Sequence, residues 1–164
     1  MFANYTDRHS PIPPRPEIDS QFLTTDGQRY LAEAIEAIRF VGLQPSLGLG
    51  RGGFAPHNQH VQGETLDPKC VATSLAWLDC GDTVPLKTPG ARSALGSYGA
   101  KHLAERWGRD VGLHPYVGNG DLICAILWRG ILYKRDESRG SPNCSIARKL
   151  LKHARDRHLR GYGR

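Results

Sequence analysis

Long apolar runs are missing from this chain: no stretch approaches the roughly 18 consecutive apolar residues of a membrane helix, so no membrane span is expected. The opening "MFANYTDRHSPIPPRP" has no apolar segment of the export-leader kind, which points to the cytoplasm. Cysteine is sparse. Cys70, Cys80, Cys124 and Cys144 therefore read as reduced thiols rather than a disulfide framework. The phosphate-cradle signatures are lacking too. "GLGRGG" is followed by Ala55 and Pro56 instead of a helix, and no P-loop Lys-Ser/Thr pair accompanies it.

A zinc site is excluded on distance. His57, His60, Cys70 and Cys80 offer ligand chemistry, but a helix running from Asp67 to Cys80 holds the two cysteine backbones about 15 Å apart at 1.5 Å per residue. No metal and no cofactor is expected.

Acidic residues are scarce at one end only. From Arg148 to Arg164 the chain has seven Lys or Arg residues against the single acid Asp156, while the preceding part balances 15 of each sign; the whole +6 therefore sits in the last segment. Charge gathered in one place makes a local field to which anionic partners respond. A nucleic-acid backbone is the first candidate partner, and an acidic protein surface the second.

The length of 164 residues suits one domain with one core, and 19 Gly with 11 Pro imply substantial loops. We expect a mainly α, single compact domain of four to five helices with room for one short β-hairpin. Residues 1–20 read as a Pro-rich arm, 21–160 as the helical domain with a Gly-rich loop at 45–63, and 161–164 as a flexible tail.

The first helix follows Thr25 and Gln28, which have capping-box spacing, and stops at Gly42 and Pro45. Its core side would be Tyr30, Leu31, Ala34, Ile35, Ile38 and Val41. Asp67, Pro68 and Gly81 punctuate a second helix. A third begins near Ser97, with Ala100, Leu103, Ala104 and Trp107 on one arc and Tyr98, Lys101, His102, Glu105 and Arg106 on the opposite, solvent side. Asn119 would cap a fourth, whose run from Leu122 to Trp128 lacks a polar stripe and so belongs in the core. "ILYKR" suggests a short strand and "DESRGSPN" a turn.

A last helix is expected from Ser145. It would place Ile146, Ala147, Leu150, Leu151 and Ala154 inward and Arg148, Lys149, Lys152, Arg155 and Arg160 outward; Arg157 joins them as a contact candidate. Cations at that spacing can follow phosphates, giving affinity without base choice. His153 and His158 would add charge in acid, and Tyr162 could stack on a base. Helices three and four are too far apart, and the fourth too apolar, for a helix-turn-helix.

Tyr98, Lys101, His102 and Glu105 combine proton-transfer groups on one helix side, which makes a small enzyme an alternative if they line a cleft. No nucleophile motif accompanies them, and we expect no catalysis.

The segments "GSYGAKHLAERW", "YVGNGDLICAIL" and "PNCSIARKLL" resemble a pattern in small uncharacterised proteins of bacterial plasmids and phages, over about residues 70–151. The resemblance implies an accessory role on a mobile element, by DNA binding or by inhibition of a host system. It carries no catalytic residues. The combined expectation is a non-enzymatic nucleic-acid-binding accessory protein, with docking on an acidic partner as the alternative.

Overall fold

Two helices with almost no polar side set the architecture. In the computed structural model, which describes residues 14–56 and 65–160, α2 (Pro68–Asp79) is buried continuously from Cys70 to Leu78, and α4 (Asn119–Trp128) from Asn119 to Ile126. Helices that bury every side need cover all round. That cover is α1 (Thr25–Gly42) and α3 (Ser97–Val111), both of which pack on α2 and on α4. Trp77, Leu75, Leu122, Ile123 and Ile126 fill the space between them with full burial.

Seven short strands and three 3-10 turns complete the described chain. The turns are Ser20–Leu23, Pro45–Leu47 and Ser138–Gly140. β1 (Leu49–Gly50) and β2 (Gly53–Phe54) form a hairpin. β3 (Thr83–Pro85) pairs antiparallel with β7 (Arg148–Leu150), with Val84 opposite Lys149. β4 (Leu95–Gly96), β5 (Tyr133–Arg135) and β6 (Cys144–Ile146) make an antiparallel sheet with β6 in the middle. The fold is mainly α and single-domain, with more strand than the one hairpin expected. α5 (Lys152–Arg160) closes the described chain, and among the described residues no helix is long and apolar enough to cross a membrane.

The largest departure from expectation is at the C-terminal end, where the helix does not start at Ser145. Cys144 and Ile146 are buried around the half-buried Ser145, the period-two pattern of a strand, and this central position in the sheet outweighs the helical spacing of the following residues. The helix starts only at Lys152, after Leu151 N donates to Asp82 O at 2.9 Å.

Smaller corrections follow from local geometry. Thr24, not Thr25, caps α1 by accepting from Gly27 N at 3.1 Å, and the Gln28 amide reaches Phe22 O instead of closing a capping box. On α1, Ala34 and Val41 are buried and Tyr30, Leu31 and Ile38 pack half-buried against the core as expected, Ala37 joins them, and Ile35 is exposed. Gly118 rather than Asn119 is the cap residue of α4. The Gly-rich loop is ordered by the β1–β2 hairpin up to Pro56, and His57 and His60 lie outside the described residues. Residues 14–20 of the arm lie on the body: Arg15 pairs with Asp110 at 3.3 Å, and Asp19 with Lys69 at 2.7 Å and His114 at 2.9 Å.

Gly120 marks the closest backbone approach. Its N–H donates to Arg51 O at 2.8 Å, and a Cβ there would overlap Gly50 O. We expect Gly120→Ala to lose about 2–3 kcal/mol in urea unfolding, because backbone must move. Gly99→Ala, where an added Cβ meets nothing within 4 Å on the surface of α3, should gain about 0.5–1 kcal/mol.

A second prediction concerns acid. The Arg129 guanidinium, with Trp128 Nε1 donating at 2.9 Å, holds the Glu33 carboxyl below its ordinary 4.5 and ties α1 to the end of α4. A depressed carboxyl stabilises the fold above its unfolded pKa, and that stability is lost as pH falls. Glu33→Gln should therefore flatten the pH dependence of urea stability below pH 4.5 while lowering stability at neutral pH.

Candidate functional site

Helical spacing brings Tyr98, Lys101, His102 and Glu105 together as expected, but not as a solvated face. Lys101 is only 7% exposed. Its ammonium meets Glu105 Oε1 at 2.9 Å and stands 5.3 Å from the Tyr98 ring centroid and 5.4 Å from that of Tyr116. The same carboxylate takes His102 Nδ1 at 2.7 Å and Val117 N–H at 3.2 Å. Tyr98 and His102 stay half in solvent, with their rings edge-to-face at 4.8 Å. Glu105 is thus a hub that joins α3 to the segment before α4 and holds the His102 ring by one nitrogen.

The second half of this cluster is not legible in the sequence. Arg51, in the β1–β2 turn, lies over Tyr116 at 5.2 Å and has its Nε 3.5 Å from Asp121 Oδ2. Asp121 is fully buried and accepts from Asp67 N and Gly118 N, each at 2.9 Å. Burial raises its pKa above the ordinary 3.8, and the two N–H bonds and Arg51 do not fully offset it. The only sequence signal for Asp121 was its place in the first turn of a helix. Nothing local marked Arg51 or Tyr116, whose partners are remote in the chain.

The chemistry available here is limited by mutual engagement. A histidine oriented by a carboxylate can move a proton, but Lys101 and Glu105 are committed to each other. The neighbouring hydroxyl of Ser97 is buried and accepts from Cys144 N at 3.1 Å. Burial pushes the Cys70 and Cys124 thiols up to about 12 and Cys144 to about 11, so none is a ready thiolate at neutral pH. Among the described residues, no group of three or more His, Cys, Asp or Glu side chains is placed to hold a metal ion.

The cations of the C-terminal end are divided between two elements. Arg148 and Lys149 lie on β7, where successive side chains point to opposite faces, so they do not extend a helical stripe. On α5, Ala154 faces inward; Lys152, Arg155 and Arg160 are exposed on the other side, with Asp156 and Leu159 among them. Arg157 turns back to form an ion pair with Asp82, whose side chain is buried, and His153 Nε2 lies 3.6 Å from the same carboxylate. Arg157 is thus paired within the chain, with its side chain still 45% exposed. Burial, then Arg106, lowers the pKa of His158 below its ordinary 6.5, and Arg106 Nη1 donates to its carbonyl at 2.6 Å. No ion pair joins Arg148, Lys149, Lys152, Arg155 or Arg160 to a carboxylate among the described residues. Tyr162 lies outside the described residues.

The chain matches no protein-family model, no curated protein and no solved structure.

Breaking the Lys101–Glu105 pair from one side should be costly, since it leaves a buried charge without its counter-ion. Glu105→Gln is expected to destabilise by about 3 kcal/mol in urea unfolding. Adding Lys101→Met to Glu105→Gln should restore part of that loss, giving a positive coupling in the double-mutant cycle.

Proposed function

We propose that this is a non-enzymatic nucleic-acid-binding accessory protein, of the kind that bacterial mobile elements encode, acting in the cytoplasm. Its contact surface is the exposed cations of β7 and the outer side of α5: Lys149, Lys152, Arg155 and Arg160, with the half-buried Arg148 beside them. The observation that carries the reading is that these side chains have no carboxylate partner among the described residues, while Arg157 does. The rest of the chain is neutral as a whole, so the surplus charge has one location. Long cationic side chains on a short strand and a short helix suit phosphates, which carry no base identity.

Exposed Leu159, surrounded by Lys152, Arg155 and Arg160, favours a second reading: an acidic protein partner with an apolar centre to its contact. The enzyme alternative on α3 is weaker, because its lysine and carboxylate neutralise each other.

A salt titration separates the first two. Duplex DNA should bind with a log K against log salt slope of about 0.9 per phosphate contacted, and Lys149→Ala with Lys152→Ala should make the slope shallower by about two contacts. Arg157→Ala should leave the slope unchanged and lower stability instead, since its charge is held by Asp82. Absence of duplex binding at about 50 mM salt would pass the lead to the protein-partner reading.

A further inference from the structure

We infer that the groove between the start of α3 and the β4–β6–β5 sheet takes an unpaired nucleotide of a single-stranded nucleic acid, with the base stacked on Tyr98 and its edge bonded by Asn143. The inference rests on the nucleic-acid reading above and adds a second, base-contacting site to it.

The groove has a volume of about 690 Å³, within the roughly 300–1,000 Å³ range of small-ligand sites. Tyr98, Asn143, Lys134 and Ser145 are among its lining residues. Tyr98 is 55% exposed, yet its ring is held in place by the Lys101 ammonium at 5.3 Å and the His102 ring at 4.8 Å. An exposed aromatic fixed in this way costs little further ordering when a base stacks on it.

Asn143 is prepared more specifically. Asn119, buried at the start of α4, donates its Nδ2 to Asn143 Oδ1 at 3.0 Å and also to Pro142 O at 3.2 Å and Gly52 O at 3.3 Å. The Asn143 backbone is held as well, its N–H by Ser141 Oγ at 3.2 Å and its carbonyl by Asp136 N at 3.0 Å. Oδ1 is engaged by Asn119, while the Asn143 Nδ2 has no partner among the described residues. A positioned amide donor on a residue that lines the same groove as Tyr98 matches the carbonyl-bearing edge of a base.

The charges of the groove decide which part of a nucleotide enters. Asp136 and Glu137 line it, which disfavours a buried phosphate, and Arg135 is occupied by the Phe54 ring at 4.3 Å and by Ala55 O at 2.9 Å. Lys134, exposed and paired in register with Ser145, remains for the backbone phosphate at the rim. From Ser145 the chain runs through β7, so Lys149 lies at most about 13 Å further on at 3.3 Å per residue. A strand with one base in the groove can therefore lay its next phosphates on the β7–α5 cations.

Fluorescence anisotropy with three ligands tests this: a labelled dT dodecamer, the same dodecamer with abasic central positions, and long-chain inorganic polyphosphate as competitor. The native chain should bind the dT dodecamer about tenfold more tightly than the abasic strand. Tyr98→Ala should abolish that preference, Tyr98→Phe should keep it, and polyphosphate competition should be the same in all three proteins. Equal affinity for the two dodecamers, unchanged dT binding by Tyr98→Ala, or no dT binding at all overturns the groove site. Absence of polyphosphate binding, with the dT preference intact, instead overturns the β7–α5 phosphate surface and leaves the groove standing.

Discussion

One buried carboxylate holds the parts of this molecule in register. Asp121 accepts the N–H of Asp67, at the start of α2, and of Gly118, at the start of α4, and has Arg51 of the β1–β2 turn 3.5 Å away. Three segments distant in sequence are fixed by one side chain with no exposure to water. Burial opposes its ionisation, so the arrangement is not a cheap source of stability; it determines where the segments meet. Gly120 has to lie against Gly50 for the same reason, and Arg51 is thereby brought over Tyr116.

The next layer of organisation grows from that junction. Tyr116 shares Lys101 with Tyr98, Lys101 is held by Glu105, and Glu105 fixes His102 and Val117 N–H. Lys101 is buried, Glu105 largely covered and His102 half exposed, so the charge pair serves to present an ordered aromatic surface to solvent. The same logic recurs at Asn119, a buried amide whose donors set the orientation of Asn143 at the groove. Ordered polar groups with one side left unpaired are suited to recognition, because little freedom remains to be lost on binding.

The helices were legible because their signals are local. Asp67 with Pro68 at the start of α2, the run from Leu122 onward and the arc of Ala100 and Ala104 all depend on spacing within one turn or two, and each is buried or capped as read. The strands β6 and β7 are not legible in the same way, because each has a pairing partner far away in the chain. β6 pairs with β4 and β7 with β3, contacts that no short window contains, and only the β5–β6 pairing is local. The Arg157–Asp82 pair is hidden from the sequence for a similar reason, since its two members are remote in the chain.

Sequence alone determined the mainly helical, single-domain architecture, the apolar centre and the concentration of positive charge at one end, because composition and periodicity carry those directly. Only the tertiary structure decided which cations pair with the chain's own carboxylates, that Lys101 is buried and that Asn143 lines a groove. Each of these depends on long-range pairing of polar groups, and such pairing leaves no periodic trace in the chain.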